Sequence, residues 1–355
     1  MAVYFWMILG LGACFTLNTY YEQKNRMCSQ TGKPTKVTSV LIVAILALIA
    51  GLRYKVGADF DFYYLNYGYY KSADLKFLDE PGIRIIARIA KHIYDDPATM
   101  IFIAALITVS LMVITILKNS EMYWLSVLLY VFLGDWSGSF NGIRQYLAVA
   151  VLFAGHRYIK EKKLFHWLLT VVIATTFHIT AIIGVFFYFY PRIKLSVKSI
   201  VVSVIAAYIG LNIYDRIFEL IGLLKQDELI LEGEKATYIL NSINPLRIAV
   251  AWVPVAFFLV FMKYYDIKQE QFRFYMNMSI LNACLMTTAM NSAYLGRVGS
   301  YTSAYNALVW PLLLKPIKKE SRGIFIFVML ICYMLYWLTE MSKEDLSVFL
   351  WIFQR

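Results

Sequence analysis

Apolar residues gather into runs separated by short polar stretches, near residues 2–18, 37–52, 98–117, 122–134, 145–156, 164–190, 199–213, 248–262, 274–290, 301–314 and 323–339. Runs of this kind with few charges inside them predict helices whose solvent is hydrocarbon. Several fall short of the roughly 20 residues that span a bilayer, which predicts helices that are tilted, broken or buried in protein. The first run has no basic residues ahead of it and no small-residue cleavage site behind it, so it reads as a retained helix. Hydrophilic stretches are too short for a separate soluble domain. The expected architecture is therefore all-α: a polytopic transmembrane helix bundle forming one integral membrane domain over residues 1–355.

Composition agrees, with 60% hydrophobic and only 16% charged residues. The net charge of +11 needs a different reading here than in a soluble protein. Basic residues favour cytoplasmic loops, and the 27-residue run Leu164 to Tyr190 decides how the loops alternate. As a single crossing it would put Arg192, Lys194 and Lys198 outside and the acidic stretch 215–235 inside. If it turns back near Thr175-Thr176-Phe177-His178, every later loop agrees with the rule. The inner segments then carry 19 basic against 6 acidic residues, and the outer ones (53–96, 135–144, 214–247, 291–300 and 340–355) carry 15 against 17. The surplus is a topology signal and not a nucleic-acid footprint. This pattern predicts about twelve crossings, short or broken ones included, with both termini outside.

The same alternation brings Arg53, Asp59, Arg144, His178, Arg247 and Arg297 to the outer boundary. Arginine is costly against hydrocarbon, about 2.5 to 3.5 kcal/mol at a helix centre, so several at one depth suggest an anionic ligand such as a lipid headgroup. In the stretch Gly51 to Tyr67, Asp59, Tyr63 and Tyr67 recur every four residues, which would set a carboxylate and two phenols on one helix face. Such a face suits a sugar ring, or equally an interfacial tyrosine belt. Residues Pro81 to Tyr94 read as an amphipathic helix lying on the outer surface, with Arg84, Arg88 and Lys91 on one face. The Gly/Ser-rich turn from Gly134 to Gly142 feeds a helix with Arg144 in its first turn, where free N–H groups and a guanidinium attract phosphate; a snorkelling arginine is the alternative. His178 is either a general base or a buried imidazole bound to a carbonyl. Arg297, in Asn291-Ser292-Ala293-Tyr294-Leu295-Gly296-Arg297-Val298-Gly299-Ser300-Tyr301, is a second phosphate candidate or an interfacial arginine. Cys14, Cys28, Cys284 and Cys332 show no paired spacing, so neither a disulfide framework nor a zinc site is indicated.

In this order the elements resemble the EpsG family of membrane proteins, the Wzy-type exopolysaccharide and O-antigen repeat-unit polymerases of bacteria. The residues that carry the resemblance are Gly51, Arg53, Val56, Gly57, Asp59 and Tyr63, then Arg144 leading Leu147 and Ala148, then Phe177-His178 with Thr180-Ala181, and Arg297 before Tyr301. They span about residues 50 to 310; Asp61 and the tyrosine tract to Tyr70 fall outside the pattern. The resemblance implies an inverting GT-C-type glycosyltransferase of the bacterial cytoplasmic membrane, working at its outer face on undecaprenyl-diphosphate-linked oligosaccharide as both donor and acceptor. By the same resemblance Arg297, Arg144 and Arg53 hold the diphosphate, and His178 or Asp59 takes the acceptor proton. Tyr63, Tyr67 and Tyr301 would line the sugars. Neither a cofactor nor a metal is expected; a chain-length regulator is an expected partner and nucleic acid is not. The alternatives are an O-antigen ligase-type enzyme, a transporter or flippase of lipid-linked oligosaccharide, and a membrane acyltransferase.

Overall fold

Helix-forming apolar runs dominate the computed structural model, which describes residues 1–24, 33–76, 79–224, 244–288, 290 and 293–355 and is 80% helical. Chain contacts divide it into two compact units, Met1–Val185 with Lys318–Arg355 and Phe186–Ile317.

The first unit runs through α1 (Ala2–Lys24), α2 (Lys36–Gly51), β1 (Arg53–Tyr54), α3 (Phe60–Leu65), α4 (Tyr67–Ser72), α5 (Pro81–Ile93), α6 (Pro97–Asn119), α7 (Tyr123–Phe132), α8 (Ile143–Lys160) and α9 (Leu164–Phe177). The second unit holds α10 (Val197–Leu224), α11 (Pro245–Val260), α12 (Glu270–Thr288), α13 (Ala293–Ser303) and α14 (Tyr305–Leu313). The chain then returns to the first unit with α15 (Lys319–Met341) and β2 (Leu350–Trp351). Helix starts follow local chemistry. Asp96 caps α6 by accepting from the Ala98 N–H at 2.8 Å, with Pro97 in the first turn, and Thr35 caps α2 through the Thr38 N–H at 3.2 Å.

Among the described residues three helices are long and apolar enough to cross a membrane, Ala2–Gln23, Pro97–Asn119 and Lys319–Met341, beside six shorter apolar ones. The expectation of a helical membrane bundle holds at that level. Of the roughly twelve expected crossings, these three have full length. The 10-residue α7 is about 15 Å long, half the hydrocarbon thickness, and is buried along nearly all its length, as suits a helix surrounded by protein.

The expected reversal near residue 178 is present. α9 ends at Phe177, His178 is extended (φ −152°, ψ 124°), and a 3-10 turn over Ile179–Ile183 follows. The chain then runs back beside α9: Trp167 Nε1 donates to the Gly184 carbonyl at 2.9 Å, and a Cβ on Gly184 would stand 3.1 Å from Val171 and from Leu152.

The polar stretch after α2 is no loose loop. α3, α4 and α5 bury Phe60, Tyr63, Tyr67, Tyr70, Ile83 and Ile86 against Met100 and Ile101 of α6 and Ile143 and Leu147 of α8. Segments 53–96, 135–144 and 340–355 meet at one end of the unit. β1 pairs antiparallel with β2, the Gly57 N–H donates to the Asp345 carbonyl at 2.8 Å, and Arg355 reaches Asp96 at 2.6 Å. The Met1 amino group joins them, donating to the Ser347 carbonyl at 3.1 Å.

In the second unit a buried amide chain ties three helices together. Asn306 of α14 donates to Asn282 of α12 at 2.9 Å and accepts from Ser279 at 2.6 Å, while Asn282 donates to the Gly299 carbonyl of α13 at 2.8 Å. Such groups specify packing strongly in an apolar interior, where an unmade hydrogen bond is costly. Cys14 and Cys284 are buried and Cys332 exposed, all unpaired; Cys28 lies outside the described residues.

Candidate functional site

Arg144 and His178 converge on a third residue, Glu80. α8 begins at Ile143, so Arg144 occupies its first turn as expected. A cation there opposes the helix dipole, and an anion beside it offsets that cost. Glu80 Oε2 lies 2.6 Å from Arg144 Nη1. Its other oxygen, Oε1, accepts from the Ile179 N–H at 2.9 Å and stands 3.4 Å from His178 Nδ1. That same Nδ1 lies 3.3 Å from the Thr180 N–H and 3.2 Å from the Thr180 hydroxyl. The carboxylate is 11% exposed, the imidazole 18% and the guanidinium 31%, so the cluster is shielded from bulk water yet reachable through its arginine.

Local backbone explains how Glu80 gets there. It precedes α5 with φ 53° and ψ 62°, left-handed values that are uncommon outside glycine, and Pro81 then starts the helix. The next residue must be small, because a Cβ on Gly82 would lie 2.5 Å from the Phe177 ring and 2.9 Å from the Thr176 carbonyl. Close approach of α5 to the end of α9 thus delivers the carboxylate to the 178 turn.

Tyr63 completes the first-unit cluster. Its hydroxyl accepts from Arg144 Nε at 3.3 Å, and the guanidinium sits 5.8 Å from the Tyr63 ring centre and 6.0 Å from that of Phe62. Asp59 stands one turn before Tyr63, half-exposed at the start of α3, and its charge bears on the Tyr63 hydroxyl.

Other expected residues sit elsewhere. Arg53 is 2% exposed, and its guanidinium donates to the carbonyls of Val56 (3.2 Å), Phe140 (3.2 Å) and Ala50 while lying 4.7 Å from the Phe140 ring centre. It braces the turn after α2 against the 134–142 loop through these backbone carbonyls. The single helix expected through Asp59, Tyr63 and Tyr67 is interrupted at Asn66. Tyr67 is buried and turns its hydroxyl to Asp95 (2.8 Å), which Lys71 also binds at 2.8 Å. Lys71 and then Tyr67 hold the Asp95 carboxyl below its ordinary value. The basic face of α5 differs too: Arg84 is buried on the Asp74 carbonyl and the Tyr69 hydroxyl, and Arg88 donates to the Ala73 carbonyl, so both fasten the preceding loop.

Arg297 belongs to the second unit, half-buried on α13 four residues before the buried Tyr301. Asn282 fixes that helix through Gly299, where an added Cβ would meet Met286 Sδ at 2.5 Å. Asn291 and Ser292 of this motif lie outside the described residues, as does most of the acidic segment 214–247. Among the described residues no three His, Cys, Asp or Glu side chains gather as a metal site would require.

Glu80 is the residue that sequence reasoning missed. In the chain it is one of seven acids between residues 53 and 96. Its only local signal is its place directly before Pro81-Gly82, where a helix start is fixed.

The model of the EpsG family matches residues 36–352 of the chain. No curated protein and no solved structure matches it.

Proposed function

The chain belongs to the EpsG family, and we propose that it is a polymerase of lipid-linked glycan repeat units. Family and apolar helices together make it a membrane protein of the polysaccharide-biosynthesis, polymerase type. The proposal adds the substrate, the membrane face and the chemistry. Its donor is a growing glycan on undecaprenyl diphosphate, its acceptor the terminal sugar of another lipid-linked unit, and its site faces outward from the bacterial cytoplasmic membrane.

The observation that carries this reading is the meeting of Arg144 and His178 at one carboxylate. Glycosyl transfer needs a group that takes charge on the leaving diphosphate and one that takes the acceptor proton. The acceptor oxygen attacks the anomeric carbon from the face opposite the diphosphate and forms the new glycosidic bond with inversion. As the carbon–oxygen bond to the diphosphate breaks, its electron pair stays on phosphate oxygen, where Arg144 stabilises it. The hydroxyl proton passes to His178. Exposed Phe62, 6.0 Å from the guanidinium, supplies an apolar face for a sugar ring, while the buried Tyr63 orients Arg144 through its hydroxyl. Asp59 is the second candidate base, and Arg297, from the family resemblance, a further phosphate contact. Arginine supplies the positive charge in this scheme, so activity should survive exhaustive chelation; loss with recovery on adding Mg2+ or Mn2+ contradicts that.

Purified protein incubated with a lipid-linked repeat unit alone tests the reading. A product ladder supports it, a single transfer to a different acceptor makes the protein a ligase, and no covalent product overturns glycosyl transfer.

A further inference from the structure

Neutral histidine carries one ring proton, and the neighbours of Nδ1 decide where it sits. Around His178 two arrangements compete. In the first, Nδ1 accepts from the Thr180 N–H at 3.3 Å, which puts the proton on Nε2 and leaves that nitrogen unable to act as a base. In the second, Nδ1 carries the proton and donates it toward Glu80 Oε1 at 3.4 Å, with the Thr180 hydroxyl at 3.2 Å as an additional acceptor. Nε2 then keeps its lone pair. A negative carboxylate oxygen 3.4 Å from Nδ1 favours a proton on the nitrogen that faces it, so Glu80 selects the second arrangement.

The other oxygen of the same carboxylate is 2.6 Å from Arg144 Nη1. Glu80 therefore competes with an anionic ligand for the charge of Arg144 and for its Nη1 donors.

We propose that Glu80 is the positioning residue of this site: it sets the His178 tautomer that accepts a proton at Nε2 and holds Arg144 until a lipid diphosphate takes the arginine. The inference rests on the polymerase reading for its substrate, and the dyad itself rests on the geometry above. Its two roles oppose each other in one variant. Glu80→Gln keeps the size of the side chain but removes the charge, so the base loses its orienting partner while Arg144 loses a competitor for phosphate.

The test uses the full chain in lipid nanodiscs, as wild type and as Glu80→Gln, with Glu80→Asp as the charge-retaining control. Nitrogen-15 spectra of the histidine rings, with His178 assigned by difference against His178→Gln, should show the Nδ1–H form in wild type and Glu80→Asp and the Nε2–H form in Glu80→Gln. Binding of farnesyl diphosphate should tighten roughly two- to fivefold in Glu80→Gln, in keeping with the release of a partly exposed ion pair. Ladder formation should lose roughly 100-fold in kcat, the lower end of what general base catalysis supplies, with partial recovery in Glu80→Asp. A residue that only stabilised the fold would weaken binding and leave the tautomer alone. An Nε2–H form in wild type, or weaker diphosphate binding in Glu80→Gln, overturns the proposal. Absence of a ladder in wild type would remove the polymerase reading while the spectra and the farnesyl diphosphate titration still decide the role of Glu80.

Discussion

Gly82→Ala adds a single methyl group at the point where α5 touches the end of α9. That methyl would stand 2.5 and 2.8 Å from two carbons of the Phe177 ring and 2.9 Å from the Thr176 carbonyl oxygen. The ring can rotate, but the carbonyl belongs to the backbone. An ordinary carbon–oxygen contact needs about 3.3 to 3.6 Å, so the start of α5 must retreat by roughly 0.5 Å. Glu80 sits two residues earlier and would carry that shift into its 2.9 Å bond with the Ile179 N–H and its 3.4 Å approach to His178. Overpacking costs about 1 to 3 kcal/mol, and replacing glycine inside a helix returns about 1 kcal/mol, leaving a net destabilisation of about 0 to 2 kcal/mol. Misplacement by about 1 Å costs about 100-fold in a positioned reaction, so half that shift should lower the ladder rate roughly tenfold. Thermal unfolding in detergent and the ladder assay, run on the same preparation, read the two effects separately. A variant with unchanged melting temperature and full ladder rate would refute the claim that this contact positions Glu80.

Arg53→Met should lower stability by about 2 to 4 kcal/mol, since it removes a buried cation donating to three carbonyls, while the folded fraction still binds farnesyl diphosphate; lost binding with unchanged unfolding would return Arg53 to the ligand site. Asp95 has a depressed carboxyl, so its pairing with Lys71 and Tyr67 contributes stability above the ordinary value of 3.8 and loses it as pH falls through the lower folded value. The difference in melting temperature between wild type and Asp95→Asn should therefore be present at neutral pH and fade in acid; a difference independent of pH would contradict the pairing. Asn282→Leu should destabilise the protein by about 1 to 3 kcal/mol because the buried Asn306 amide N–H loses its acceptor and the Gly299 carbonyl loses one donor while keeping the Thr302 hydroxyl, and an unchanged unfolding temperature would show that the amide chain is dispensable.

Charge patterning reached the larger features because they are set by chain-wide chemistry. The reversal at His178 followed from requiring basic loops on one side, and the start of α8 at Ile143 followed from a Gly/Ser-rich turn meeting an apolar run. What stayed hidden depends on contacts between distant residues. Arg53 and Arg144 look alike in sequence, each an arginine at an apolar boundary; only the folded chain shows backbone carbonyls around the first and a carboxylate beside the second. A four-residue spacing puts Tyr67 on the face of Tyr63 only in one continuous helix; the helix breaks at Asn66 and the Tyr67 hydroxyl bonds Asp95. Glu80 was lost among the acids of its segment because its role depends on a left-handed backbone and on Gly82, which matter only once α9 is in place.

Ladder formation from a purified lipid-linked repeat unit, comparing wild type with Arg144→Ala and His178→Ala in the same nanodiscs, addresses the central claim most directly. Wild type should extend the glycan, and each variant should insert and fold yet lose extension by about 100-fold or more. Full extension by either variant would contradict the account.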